Sequence, residues 1–273
     1  MVSQEQRRRQ LAREKFLRQQ QRRTVARRKT RMRNSVIASV LGVIVIGSLA
    51  LYTTGVLKGD DDSKENAGAE VTPSATPSKA PDPCEKPAEG KVRTATWKKE
   101  PALTVDKSAK YTMKLATTCG DIDIALKASA APHTVNSFDF LAGKGYFDHS
   151  KCHRLTTNGI YVLQCGDPTG TGTGGPGYNI PDENLKDKSL KNNIYPAGTI
   201  AMANTGQKNS GGSQFFLVYQ DSQLPPSYTP FGTVSESGMK VLKKIADAGE
   251  STGQGDGAPN ATVVINKATV TKS

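Results

Sequence analysis

The chain has 273 residues and a formal charge of +12, but the positive charge is concentrated at one end. Residues 1–34 contain 13 Lys or Arg against two acids, a net charge of +11, so the rest of the chain carries only the difference, +1. This distribution excludes a basic nucleic-acid-binding fold, and a hydrophobic content of 36% excludes a multi-span membrane protein.

Residues 35–57 form an apolar segment that contains no charged side chain. Its 23 residues are enough for a helix across the ~30 Å hydrocarbon core of a bilayer. Basic residues precede the segment and three aspartates, at positions 60–62, follow it, which predicts that the N-terminus is cytoplasmic and the remainder extracytoplasmic. We therefore expect a basic cytoplasmic tail (1–34) and an uncleaved single-pass anchor (35–57) in the plasma membrane.

Alternatives exist for both segments. Ser48 and Ala50 form a small-x-small pattern, so a cleaved signal peptide competes with the anchor, as does a buried helix of a soluble protein. The basic tail is expected to bind anionic lipid of the inner leaflet, at about 1 kcal/mol per basic residue near the surface. Binding of RNA or ribosomes is the alternative for the tail, but no interleaved aromatic residues support it.

Residues 58–109 have the composition of a Pro-rich extracytoplasmic linker. Its prolines include Pro73, Pro77, Pro81, Pro83, Pro87 and Pro101. Such a segment has too few large apolar residues to offset the entropy lost on ordering, so it is expected to be extended and mostly disordered. Trp97, the only tryptophan, is expected to dock on the edge of the domain that follows.

Residues 110–273 have the pattern of a mainly β domain. Alternating apolar residues on both sides of Cys119 and Gly120 predict a hairpin, and further short strands are predicted at 151–155, 160–165, 199–203, 213–219 and 262–270. Helical spacing of apolar residues predicts helices at 131–143 and 238–248. Short strands, Gly-rich turns and two helices together favour a small closed β-barrel capped by the helices.

Several familiar catalytic patterns can be discounted. The GTGTGG run at 170–175 matches a dinucleotide-binding fingerprint, but Pro176 and Gly177 follow where a helix should begin, which favours a surface turn. The three histidines, His133, His149 and His153, have no carboxylate cluster or zinc-type cysteine spacing beside them, so no metal site is predicted.

The four cysteines lie on the predicted extracytoplasmic side, where disulfides persist. Cys152 and Cys165 flank a predicted hairpin and can face one another across it, and Cys84 would then pair with Cys119. Four cysteines allow three pairings, so this is a preference among them, and free buried thiols are the alternative.

Several consecutive motifs carry a resemblance to a known family. They are YFDHSKCHRL, VLQCGD, GTGTGGPGY, AMANTG, GSQFFLVY and LPPSYTPFG, in that order. Over 110–273 they resemble the cyclophilin family of peptidyl-prolyl isomerases, and the tail, span and tether resemble its anchored bacterial members. The resemblance implies a closed eight-stranded antiparallel β-barrel with two capping helices, and a function that needs no cofactor.

The resemblance also implies the site residues. Arg154 matches the catalytic arginine and Gln164 the glutamine that supports it. The expected substrate-binding residues are Tyr161, Val162, Gly172, Ala203, Asn204, Thr205, Gln214, Phe216, Leu224 and Tyr228. Proline-containing polypeptides, such as exported or unfolded proteins, are the expected partners, and a cyclophilin-fold chaperone or scaffold with little isomerase activity is the alternative.

The sequence departs from the family pattern in four places. The turn at 156–159 makes the spacing from Arg154 to Gln164 two residues longer, and the segment 207–212 is one residue longer. Tyr228 stands where the family usually has His. Gln223 replaces the tryptophan that many members use to bind cyclosporin, so weak or no cyclosporin binding is expected.

Overall fold

The computed structural model describes residues 81–273. The predicted tail and anchor, and the linker as far as residue 80, lie outside the described residues. No helix among residues 81–273 is long and apolar enough to cross a membrane. The anchor therefore stays a prediction.

The described residues form a mainly β domain with two α-helices. In chain order its elements are β1 (Tyr111–Thr117), β2 (Gly120–Leu126), α1 (Pro132–Gly143), β3 (Ser150–Lys151), β4 (Arg154–Thr156), β5 (Val162–Cys165), a 3₁₀ turn (Lys191–Asn193), β6 (Ile194–Tyr195), β7 (Thr199–Met202), β8 (Phe215–Val218), β9 (Ser222–Gln223), β10 (Pro230–Val234), α2 (Glu236–Asp247), β11 (Asp256–Gly257) and β12 (Val264–Lys272).

Ten of these strands form one curled antiparallel sheet, a half-barrel with the order β11-β4-β5-β8-β7-β10-β2-β1-β12-β3, and β6 pairs separately with β9. The expected closed barrel of eight strands is not confirmed. One reason is that the strand predicted at 151–155 is divided into β3, which pairs with β12, and β4, which pairs with β5. The division places Arg154 at the start of β4.

The hairpin and the helices follow the predicted periodicity. β1 and β2 pair from Tyr111 opposite Leu126 to Thr117 opposite Gly120, and the alternate apolar side chains along both strands are buried. Helix α1 begins at Pro132 and buries Phe138 against the inner face of the sheet, in contact with Phe231 at a ring-centroid distance of 4.6 Å. Amphipathic patterning was therefore enough to predict these elements.

The linker differs from its expectation over residues 81–109, which we call the N-terminal arm. The arm is packed against the domain: Cys84 is bonded to Cys119, and the Trp97 ring meets the edge of Phe140 at a centroid distance of 5.2 Å. A disulfide and the contact of one large aromatic ring hold the segment on the domain, although the segment itself has few apolar residues. The docking predicted for Trp97 is confirmed, whereas disorder does not describe this part of the linker.

The structure contains both of the disulfides predicted as the preferred pairing, Cys84–Cys119 and Cys152–Cys165. The first joins the arm to the turn between β1 and β2. The second joins the residue after β3 to the last residue of β5, and so braces the pair of strands that carries Arg154 and Gln164.

Candidate active site

A small pocket of about 120 Å³ lies at the outer surface of β5 and β8. It is lined by Arg154, Ile160, Val162, Gln164, Ala203, Asn204, Phe216, Leu224 and Tyr228. Eight of these nine residues belong to the predicted set. The pocket therefore unites residues that are up to 74 positions apart in the sequence.

Strand alternation explains how these residues come to share one face. On β5, Val162 and Gln164 are two residues apart and point to the same side, while Leu163 and Cys165 point into the main core. Antiparallel pairing then places Phe216 of β8 directly opposite Gln164. The register of two strands thus sets a polar amide beside an aromatic ring.

The base of the pocket belongs to a second hydrophobic cluster, separate from the main core, which contains Val162, Tyr195, Phe216 and Leu224. Phe216 is 5% exposed and Leu224 is 8% exposed, so both present only an edge to the solvent. Tyr228 packs against Phe216 at a ring-centroid distance of 5.4 Å. Because their neighbours fix these side chains, the apolar surface exists before any ligand arrives.

Arg154 is the only cation among the pocket-lining residues. Its Nε and Nη2 donate to Oδ1 and Oδ2 of Asp256, each at 2.8 Å, and its Nη1 donates to Oε1 of Gln164 at 3.2 Å. The hydrogen bonds with Asp256 raise the pKa of the guanidinium above its already high value. Arg154 is therefore a permanently charged donor held at the pocket wall.

A chain of amide hydrogen bonds continues from Arg154 into a neighbouring groove. Gln164 Nε2 donates to Gln214 Oε1 at 2.9 Å, and Gln214 Nε2 donates to the carbonyl oxygen of Gly174 at 2.9 Å. Each amide has a single consistent orientation in this chain, since its oxygen accepts and its nitrogen donates. The chain fixes the relative positions of the pocket and the groove.

The groove has a volume of about 580 Å³ and shares Gln164, Ala203 and Asn204 with the pocket. Gly172 and Thr205, both predicted as substrate-binding, are also among its lining residues. The N-terminal arm is hydrogen-bonded to the backbone of the groove wall, because the backbone N–H of Trp97 donates to the carbonyl oxygen of Pro176 at 2.8 Å.

Asp167 organises the Gly-rich loop that forms one side of the groove. It is fully buried, and its two oxygens accept hydrogen bonds from the backbone N–H groups of Thr169, Thr171 and Gly172 and from the Thr169 hydroxyl. Burial opposes ionisation, but the hydrogen bonds, including one from the N–H of Gly174, outweigh burial and lower the pKa of Asp167 to about 2. The loop is thus built around a buried carboxylate.

We expect Asp167→Asn to lower the free energy of unfolding at pH 7 by about 2 kcal/mol, because an amide replaces a carboxylate that accepts five hydrogen bonds. The folded-state pKa of about 2 lies below the ordinary value of 3.8, so the carboxylate stabilises the fold above about pH 4 and loses this effect as the pH falls through 2. Urea unfolding at pH 7 and pH 3 measures both effects.

The wild type should therefore lose more stability on acidification than Asp167→Asn does. Asp247→Asn is the control, because Asp247 is exposed and pairs only with Lys243, at 3.0 Å. Equal losses in the wild type and in Asp167→Asn would contradict the role given to the buried carboxylate.

Tyr161 is the predicted site residue that lines neither the pocket nor the groove, whereas Gly172, Thr205 and Gln214 line the groove. Its ring lies against Tyr219 at a centroid distance of 5.9 Å, and Ile160 lines the pocket instead. The reason is that side chains alternate between the two faces of an extended chain. Ile160 and Val162 share one face, so the side chain between them points away from the pocket. A strict count of alternation back from Gln164 would have found Ile160.

Asp256 is a further residue of the site that the sequence did not predict. It lies 102 residues after Arg154, in a Gly-rich loop with no local motif, so no spacing could have signalled it.

The fold and the site together define a class of protein, a curled β half-barrel with an arginine beside a small apolar pocket and an adjoining groove. The family model described as "Cyclophilin type peptidyl-prolyl cis-trans isomerase/CLD" matches residues 112–270. The chain belongs to this family.

Relatives with similar sequences bear the same description. The probable peptidyl-prolyl cis-trans isomerase B of Mycobacterium leprae (strain TN) is 48% identical over 195 residues, which cover 68% of this chain and 62% of the relative. The protein of the same description from Mycobacterium tuberculosis (strain ATCC 25618 / H37Rv) is 44% identical over 208 residues, 73% of this chain and 63% of the relative. The chain thus spans less than two thirds of the length of these relatives.

A solved structure of a similar protein is the cyclophilin-type peptidyl-prolyl cis-trans isomerase cgd2_1660 of Cryptosporidium parvum. It is 26% identical, has a TM-score of 0.50, and the match covers 60% of this chain and 99% of that one. The same protein was solved in the presence of the dipeptide Ala-Pro, with 27% identity, a TM-score of 0.50 and coverage of 59% and 99%.

Proposed function

We propose that this chain is a peptidyl-prolyl cis-trans isomerase that assists the folding of polypeptides outside the cytoplasmic membrane. The observation that carries the proposal is the position of Arg154, a permanent cation with unused N–H groups beside an apolar pocket of about 120 Å³. The family membership and the descriptions of the relatives support the same reaction class.

The reaction needs a selective binding surface. Rotation about an X-Pro bond meets a barrier of ~18–20 kcal/mol because the nitrogen lone pair is delocalised into the carbonyl. In the twisted amide the delocalisation is lost and the nitrogen becomes a hydrogen-bond acceptor. A group that donates more strongly to this twisted form than to either planar form lowers the barrier, and no bond to the protein has to form.

The described residues can divide this work between them. The aromatic and aliphatic side chains of Val162, Phe216 and Leu224 would hold the pyrrolidine ring, and Asn204 and Gln214 would fix the flanking peptide. Arg154 would then donate to the prolyl nitrogen or its carbonyl as the amide twists. The Ala-Pro dipeptide present with the Cryptosporidium parvum protein supports proline-containing peptides as the ligand class.

The direct test is the isomerisation of an Ala-Xaa-Pro-Phe peptide by the full chain in detergent, followed without a coupling protease by NMR exchange. We expect the interconversion rate to rise in proportion to protein concentration. A preparation that suppresses the aggregation of an unfolded protein but leaves this rate at its uncatalysed value would contradict the proposal and favour the chaperone or scaffold alternative.

We further propose that the domain is extracytoplasmic and held by an uncleaved anchor, on the grounds of the charge asymmetry around residues 35–57. Protease added to intact spheroplasts should remove the domain and leave a small N-terminal fragment in the membrane. Complete protection of the domain would mean the opposite orientation, and a secreted form that begins near residue 51 would mean a cleaved signal peptide.

A further inference from the structure

The strongest interaction of the Arg154 side chain is with a residue outside the predicted set. Asp256 accepts two parallel hydrogen bonds from the guanidinium, from Nε and Nη2, each at 2.8 Å. Such a bidentate pair fixes the plane of the guanidinium as well as its position. The Gln164 amide alone, with one hydrogen bond of 3.2 Å, would leave that plane free to rotate.

Local hydrogen bonds order the loop that carries Asp256. Glu250, which is 8% exposed, accepts from the backbone N–H groups of Thr252 and Gly255 at 2.6 and 2.8 Å. The short strand β11 then pairs with β4, with Asp256 opposite Thr156. The carboxylate is therefore presented by backbone pairing to the same strand that begins with Arg154.

The longer turn at 156–159, one of this chain's departures from the family pattern, packs against this loop. The N–H of Thr157 donates to the carbonyl of Gly255 at 2.9 Å. Gly255 has a φ of +91°, and a Cβ at this position would lie 2.5 Å from the Cβ of Asn158. Only glycine satisfies both the backbone conformation and the close contact, so the turn and the loop fit as one unit.

We propose that Asp256 is a positioning residue for Arg154, and that packing of the long 156–159 turn against the loop at 250–257 places its carboxylate beside the guanidinium. The proposal rests on the proposed function, since it deepens the role given to Arg154. A guanidinium carries five N–H bonds. Asp256 takes one each from Nε and Nη2 and Gln164 takes one from Nη1, which leaves one N–H on each Nη for the twisted prolyl amide.

The test is a double-mutant cycle on the full chain with Asp256→Asn, Arg154→Ala and the double variant. Asp256→Asn keeps the shape of the side chain but turns an N–H group toward the guanidinium. We expect kcat/KM to fall about fivefold in the wild-type background, mostly through kcat, as befits a partly exposed ion pair. In the Arg154→Ala background the same change should have no further effect.

Asp121→Asn is the matched control, because it removes an equivalent carboxylate from an exposed pair with Lys114 far along the chain from the site. It should leave kcat/KM unchanged. A second readout is the side-chain Nε–H resonance of Arg154 in ¹⁵N-labelled protein, identified by its loss in Arg154→Ala. This resonance should shift and exchange faster with water in Asp256→Asn but not in Asp121→Asn.

Three results would overturn the proposal: an unchanged kcat/KM in Asp256→Asn, an increase in it, or an equal decrease with and without Arg154. Failure of the proposed function is distinguishable from these, because the wild type would then show no catalysis at all. In that case the Nε–H resonance still decides whether Asp256 fixes the guanidinium.

Discussion

Replacement of Arg154 by alanine should lower kcat/KM for X-Pro isomerisation at least about tenfold, which corresponds to ~1.4 kcal/mol of lost transition-state stabilisation. The apolar pocket would still bind the proline ring, because Phe216 and Leu224 are held by their own neighbours and make no hydrogen bond to Arg154. The loss should therefore appear mainly in kcat, with a smaller effect on KM. Exchange NMR at several peptide concentrations separates the two.

The variant should remain folded, since the arginine side chain is 37% exposed and contributes little to either hydrophobic cluster. Near-ultraviolet circular dichroism checks this point. Arg93→Ala is the control, because Arg93 is an exposed arginine of the N-terminal arm that lies away from the pocket. Full activity in Arg154→Ala would remove Arg154 from the mechanism, and a loss in Arg93→Ala of the same size would mean that charge alone is responsible.

The fold was predictable where local periodicity decides it. The alternation along β1 and β2 and the helical spacing in α1 are burial patterns of single elements, and both are found at the expected places. The closed eight-stranded barrel is not confirmed, and closure depends on pairing between distant segments. The strand breaks between β3 and β4 at Cys152 and His153, so that β3 pairs with β12 and β4 pairs with β5. A local sequence pattern does not show this change of partner strand.

The N-terminal arm shows a different limit of sequence reasoning. Its composition indicates disorder because composition reports only the apolar residues of the segment itself and not the contacts it makes with the rest of the chain. The arm is ordered by partners that lie elsewhere in the chain: Cys119 for Cys84, Phe140 for Trp97, and the Asn136 side chain for the backbone of Thr104. A variant that begins near residue 105 would lose all three of these contacts and keep only one hydrogen bond to Asn136, from the Val105 N–H.

The candidate site was predictable where motifs retain their spacing. Val162, Gln164 and Phe216 reach the pocket as the resemblance implied, since Val162 and Gln164 share one face of β5 and Phe216 lies opposite Gln164 on β8. The exchange of Tyr161 for Ile160 arises where the chain is longer. Ile160 directly follows the turn at 156–159, and β4, which leads into this turn, pairs with the strand that carries Asp256. Insertions are thus where the resemblance is least informative.

Cyclosporin should inhibit this chain at least about tenfold more weakly than it inhibits relatives that carry a tryptophan at the position of Gln223. Gln223 is an exposed residue of β9, and the next residue, Leu224, lines the pocket. An indole offers a broad apolar face and an N–H donor, and burying it against an apolar ligand is worth a few kcal/mol. Glutamine offers less area, and the drug would partly desolvate its amide.

Catalysis should not depend on the same side chain, because Gln223 does not line the pocket and points to the solvent. Gln223→Trp should therefore keep kcat/KM within about twofold of the wild type while it lowers the cyclosporin inhibition constant. β9 pairs with β6 through Ile194 opposite Gln223, and this pairing uses backbone groups, so the larger side chain can be accommodated on the exposed face. Titration of isomerase activity with the drug measures both constants. Inhibition of the unmodified chain at low nanomolar cyclosporin would contradict this prediction, since the drug would then gain its affinity without the indole.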